Sequence, residues 1–221
     1  MLYLIAVPIG NLKDISLRAL ELFEKLDVLL CEDTRNTGKL LSLLGVKNKP
    51  RLFSFYDEVE EEKIPQIIKF LKEGLEVGLV SDAGSPIISD PGWKLIERCK
   101  KEKIFYTCLP GVSAVINALV LSGLSPTPFC FLGFLSKKIG KRKKILEKYK
   151  DLKITKVIYE SPFRLMKLLE EVKEIFGDNT KVSVCREMTK KFEEVVSGGV
   201  KEVLGRFKGK KVKGELVVVV E

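Results

Sequence analysis

The first half of the chain reads as apolar runs of four to eight residues alternating with stretches whose apolar positions recur at helical spacing. YLIAVPIG (3–10) is the first buried-strand run, and ISLRALELFEKL (15–26) follows at helical period, with Asp14 in N-cap position. The same rhythm predicts a strand over 28–33, a helix over 34–45 closed by Gly45, a strand over 51–56, a helix over 60–74 and a strand over 77–82. A helix over 91–102 has Pro91 in its first position and Asp90 as cap, then a strand covers 104–111 and a helix 112–123. Strands alternating with helices predict a parallel sheet.

The second half has another pattern. FCFLGFL (129–135) is apolar and aromatic, and a basic stretch follows it. KVIYESP (156–162) is a strand leading to a helix over 162–176, with Ser161 as cap, Pro162 in first position and Gly177 as stop. Residues 181–189, 192–200 and 214–221 have strand character, with a short helix over 201–207. Strands outnumber helical crossovers, which predicts a mixed sheet. The fold class is therefore α/β with two domains, 1–112 and 113–221, the first mainly parallel and the second mixed.

At 221 residues and 45% hydrophobic composition the chain has ample material for packed cores. No apolar run approaches the roughly 20 residues of a membrane span, and YLIAV begins without a basic leader, so the expected location is cytoplasmic. The five cysteines lack CxxC spacing and read as free thiols. The chain contains no histidine, which removes the usual zinc site and any imidazole base. Net charge is +9. Residues 137–150 hold eight Lys/Arg against one Glu, and 206–213 hold five against none. That density points to a polyanionic partner such as nucleic acid, an anionic membrane or a polycarboxylate; a solvated, Lys/Glu-rich surface is the plainer account.

Chemistry gathers where strands end. VPIGN (7–11), CEDTR (31–35), SDAGSP (81–86), LPGVS (109–113), YESPFR (159–164) and CREMTK (185–190) each follow an apolar run. Ligands of open α/β sheets bind outside the carboxyl ends of strands. Each loop alone has a structural explanation, since Asp33, Asp90 and Ser161 suit N-caps and Gly10, Gly84 and Gly111 suit positive φ. Six together predict a shared cleft. The small residues of SDAGSP let a ligand approach the main chain, although neither GxGxxG nor a P-loop lysine is present.

In these loops the sequence resembles the tetrapyrrole methylase superfamily, and more closely its branch that methylates the ribose 2′-hydroxyl of a cytidine in bacterial small-subunit ribosomal RNA. The matching stretches, among them VPIGNLKDISLRAL, CEDTRNTGKLL, LVSDAGSPIISDPG, LPGVSA, YESPFRL, REMTKKFEE and KGELVVVVE, run in order from residue 7 to 221. The resemblance implies S-adenosylmethionine as methyl donor, no metal, a cleft between two α/β domains and a homodimer. Donor contacts would come from Pro8, Ile9, the loop Ser81, Asp82, Ala83, Gly84, Ser85 and Pro86, from Val112, Ser113 and Ala114, and from Tyr159, Glu160 and Ser161. Relatives often carry a histidine-rich stretch where this chain reads FSFYDE (53–58), so any such role passes to groups like Tyr56, Asp57 or Glu58. The proton-accepting candidates are then lysine and the carboxylates Glu32, Asp33, Asp82, Glu160 and Glu187. Arg35, Arg164 and Arg186 are candidate phosphate ligands, and Lys137, Lys138, Lys141, Arg142, Lys143 and Lys144 form the candidate RNA contact. The implied partner is small-subunit ribosomal RNA, within the assembled particle, and no membrane. A porphyrinoid methyltransferase and a non-enzymatic RNA-binding factor are the competing readings.

Overall fold

The computed structural model describes all 221 residues, which divide into two units, Met1–Ser113 and Ala114–Glu221. In the first, β1 (Leu2–Ile5), α1 (Leu17–Phe23), β2 (Val28–Cys31), α2 (Thr34–Leu43), β3 (Arg51–Ser54), α3 (Glu60–Lys72), β4 (Val77–Leu79), α4 (Trp93–Lys101) and β5 (Tyr106–Leu109) follow in order. The sheet runs β3-β2-β4-β1-β5 and every pair in it is parallel. Its three inner strands β2, β4 and β1 are largely buried, and alternate residues go to opposite layers, while the edge strands β3 and β5 are partly exposed. Leu2, Leu4, Val28 and Leu30 pack with Ile64, Ile67 and Ile68 of α3 and Leu95 of α4. Ile5, Leu29 and Cys31 pack with Ala19 and Phe23 of α1 and Leu41 of α2. At Gly78 of β4 an added Cβ would lie 2.6 Å from Leu26 Cδ1 and 2.8 Å from Leu29 Cδ1, so the close packing on this strand requires glycine.

The second unit contains α5 (Ala114–Ser122), β6 (Phe129–Phe134), α6 (Ile139–Lys150), β7 (Thr155–Glu160), α7 (Leu165–Phe176), β8 (Lys181–Arg186), β9 (Glu194–Gly199), α8 (Val200–Phe207) and β10 (Leu216–Val220). Its sheet order is β6-β7-β10-β8-β9, with β6 and β7 parallel and the other pairs antiparallel. The run LVVVV of β10 occupies the centre and is wholly buried. One face carries Leu146 of α6, five apolar side chains of α7, and Val200, Val203 and Phe207 of α8. The other faces α5, where the Cys185 thiol donates to the Ala118 carbonyl at 3.6 Å. All five cysteines are free. No helix is long and apolar enough to cross a membrane.

Three helix starts differ from the sequence reading. Asp14 does not cap α1: it lies in a short 3-10 turn, and the Ser16 hydroxyl accepts from the Ala19 N–H instead. Asp90 and Pro91 stop short of α4, whose N-cap is Gly92 at φ 126°. An added Cβ there would meet Leu79 Cδ2 at 2.7 Å, so only glycine turns this corner against the core. Ser161 and Pro162 precede α7 in a separate turn, and Arg164 stands at the N-cap. In each case a loop residue with cap chemistry is held by local geometry before the helix begins. The basic stretch, left unassigned by its weak periodicity, is helix α6 from Ile139 onwards.

Candidate functional site

The first sheet has a topological switch point. The connections from β1 to β2 and from β2 to β3 run towards one edge with α1 and α2 on one face. Those from β3 to β4 and from β4 to β5 run back with α3 and α4 on the other. Adjacent strands β1 and β4 therefore send their loops in opposite directions, which opens a crevice at their carboxyl ends. The two loops are joined there: the Val7 N–H donates to the Gly84 carbonyl at 2.8 Å and the Gly84 N–H to the Val7 carbonyl at 3.0 Å. Gly84 has φ +77°, and a Cβ on it would come within 3.4 Å of Ile9 Cγ2. The loop after β5 closes the third side, with the Ser85 hydroxyl donating to the Val112 carbonyl at 3.2 Å. Gly111 lies so near Ala6 that a Cβ would be 2.7 Å from the Ala6 Cβ. Pro8, Ile9, Ser81–Pro86, Val112 and Ser113 are thus brought together by three neighbouring strand ends. The N–H groups of Ala83 and Ser85, flanking the Val7–Gly84 pair, donate to no group of the chain. Such free amides on small residues suit a nucleoside-like ligand held through the backbone.

Carboxylates border this loop. Glu32, just past β2, accepts the Asp82 N–H at 3.2 Å, and the Asn36 amide donates to Asp82 at 3.1 Å. Burial raises the Glu32 pKa, and the Asp82 amide opposes it. Asp33 is an N-cap after all: its side chain accepts the Arg35 N–H at 2.8 Å and is clasped by the Arg35 guanidinium at 2.7 and 3.1 Å. Those bonds lower its pKa to about 2. The guanidinium stays 89% exposed. Asp90, which the sequence suggested only as a cap, is the residue that reading missed. Burial, then the charge of Glu32, pushes its pKa up to about 7, against a hydrogen bond from Ser81. Its setting is a strained turn, with Ile87 at φ 77° and Ser89 at φ 71°. The signal available in the sequence was the repeated Asp in SDAGSPIISDPG.

In the second unit, Glu160 ends β7 with 3% exposure. It accepts the Ser161 N–H at 2.8 Å and Arg164 Nη2 at 3.0 Å, and Arg164 also donates to the Leu135 carbonyl at 2.7 Å. Both groups are spent fixing the turn between β7 and α7. Tyr159 packs edge-on against Phe131, ring centroids 4.8 Å apart, with Phe134 at 5.3 Å. Ala114 opens α5.

The basic residues read as an RNA contact separate into two groups. Lys137, Lys138, Lys141 and Lys144 are exposed and have no acidic partner. Arg142 corrects the sequence reading, being buried at 2% exposure. Its Nε and Nη2 meet the Glu171 carboxylate at 2.5 and 2.6 Å, because α6 turns this one position of the basic stretch onto α7. Lys143 is paired with Glu174 at 2.6 Å. Arg186 is bonded to Glu194 at 3.0 Å and to the Lys213 carbonyl at 3.0 Å.

A two-unit α/β chain of this topology, with its loops tied at the β1/β4 crevice, matches the family model of tetrapyrrole (corrin/porphyrin) methylases over residues 1–204, and the chain belongs to that family. Three curated relatives are each named ribosomal RNA small subunit methyltransferase I. The protein from Mycoplasmopsis pulmonis (strain UAB CTIP) is 44% identical over 99% of this chain and 96% of its own length. That from Thermotoga maritima is 43% identical over 99% and 96%, and that from Bacillus subtilis (strain 168) 39% over 100% and 75%. Identity at that level along the whole chain puts it in their branch of the family. A crystal structure of uroporphyrin-III-C-methyltransferase from Thermus thermophilus superposes with a TM-score of 0.68 at 21% identity, covering 99% of this chain and 93% of that one, which is a likeness of fold.

Proposed function

We propose that this protein transfers a methyl group from S-adenosylmethionine to the ribose 2′-hydroxyl of a cytidine in small-subunit ribosomal RNA. The names of its relatives support the substrate class, and EDTR, SDAGSP and YESPFR support the branch. The observation that carries the donor assignment is the Val7–Gly84 junction with the free amides of Ala83 and Ser85 beside it. Backbone donors and small side chains fit an adenosine moiety, and the carboxylates of Glu32, Asp82 and Asp90 suit a ligand bearing ammonium and sulfonium charge.

Pro8, Ile9, the 81–86 loop, Val112 and Ser113 would hold the donor. When bound, the donor supplies a methyl group on positively charged sulfur, already activated for displacement. The chain then has two tasks, alignment of the acceptor oxygen and removal of its proton. Asp33 is held strongly acidic by Arg35, and Glu160 is committed to Arg164 and the Ser161 amide. Glu32 and Asp82 remain beside the donor loop for the proton, and burial raises the pKa of Glu32, which suits it to accept one. Arg35 and the exposed Lys137, Lys138, Lys141 and Lys144 would grip phosphates.

We further propose that the acceptor is the assembled small subunit in the cytoplasm and that the protein acts as a homodimer. Ile116 and Val120 of α5 are 48% and 71% exposed, an apolar face that a second copy would cover. The test supplies labelled donor with small subunits, naked RNA or a porphyrinoid, followed by nucleoside digestion. Label on a cytidine ribose is the expected outcome; label on the porphyrinoid alone overturns the reading.

A further inference from the structure

The second unit has a basic cleft that the reaction described above does not use. It measures about 610 Å³ and lies between edge strand β9 and the segment from the end of α8 to β10. Arg206, Lys210, Lys211 and Lys213 line one side, and Arg186, Glu194 and Ser197 the other. Glu194 is the only acid of the lining, and Arg186 already neutralises it. The four remaining cations are exposed and have no carboxylate partner. Arg206 stands in the last turn of α8, and the loop that carries the three lysines is anchored at both ends: the Lys210 N–H donates to the Phe207 carbonyl at 3.1 Å, and Arg186 holds the Lys213 carbonyl at 3.0 Å. Four like charges along one side of the cleft repel one another, and a polyanion offsets that cost.

We propose that this cleft is a docking site for the sugar–phosphate backbone of the RNA substrate, separate from α6. Lys137 and Lys138 follow β6, and β6 and β9 are opposite edges of one sheet, so the RNA would be gripped at both edges of the second unit. The proposal rests on ribosomal RNA being the substrate. Lysines beside an edge strand also discourage edge-to-edge pairing, and the experiment separates that role from RNA binding.

The variant K210Q/K211Q/K213Q is compared with wild type and with K25Q/K100Q/K101Q, which removes the same charge from exposed sites of the first unit. Binding to small-subunit RNA is measured from about 50 to 200 mM salt, with donor binding by calorimetry and sedimentation in parallel. With three phosphate contacts gone, the slope of log affinity against log salt should fall by about 2 to 3, which shrinks the affinity lost over that range by about 15- to 65-fold. Donor affinity should stay unchanged and the control should match wild type. Equal slopes for variant and wild type overturn the proposal, as does a variant that only self-associates or only loses binding to phosphatidylserine vesicles. Wild-type protein that puts no label into ribosomal RNA removes the underlying reading instead.

Discussion

Val7 and Gly84 hold each other through both of their backbone hydrogen bonds, two residues past the end of β1 and five past the end of β4. This pair sets the distance between the loops at the switch point and orients the free amides on either side of Gly84. It requires φ +77° at position 84.

Gly84→Val should therefore break the pair, since a β-branched residue is a true outlier in the left-handed region. Donor affinity by calorimetry is expected to fall more than tenfold. Gly84→Asn, which tolerates this conformation at a cost of about 1 kcal/mol, should keep the fold and recover part of the affinity. Equal donor affinity in all three proteins would remove the junction from the site.

Glu32→Gln keeps an oxygen for the Asp82 N–H but cannot accept a proton. Methylation should slow by about 10²-fold or more while donor binding holds. Asp82→Asn, which keeps one oxygen for Asn36, tests the second candidate. Unchanged rates in both variants exclude these carboxylates from the chemistry.

Asp90 predicts a pH dependence of stability. Its proton is held more tightly in the fold, with a pKa of about 7 against an ordinary 3.8. The stabilisation is complete below about pH 4 and is lost as pH rises through 7. Because the side chain is partly solvated, the loss is about 1–2 kcal/mol after screening. Urea denaturation at pH 5 and pH 8 should show the drop in wild type and not in Asp90→Asn.

Arg142 and Glu171 form a buried bidentate ion pair. Arg142→Met leaves the Glu171 charge unpaired and should cost about 3–5 kcal/mol. The double variant Arg142→Met/Glu171→Leu should regain most of it. RNA affinity of the double variant should equal wild type, since this guanidinium does not reach the surface.

Periodicity and punctuation alone determined the order of strands and helices apart from α6, the parallel character of the first sheet and the mixed character of the second. Burial of an apolar run on both faces, or on alternating faces, is written directly into residue spacing. The six strand-end loops were also legible, because glycine, proline and short polar residues mark where a chain leaves a strand. Which of their side chains are free for chemistry was not. EDTR and YESPFR each carry an acid and an arginine, but only the folded chain shows Arg35 clasping Asp33 and Arg164 bonded to the buried Glu160. Arg142 reads like its neighbours until α6 turns it onto Glu171. Asp90 gains its character from burial first and then from the charge of Glu32, distant in sequence and close across the loops. Local spacing specifies elements because hydrogen bonding and burial act over a few residues. Charge pairing and desolvation act between segments far apart in the chain, so tertiary structure decided which polar groups are spent on the fold and which remain for a ligand.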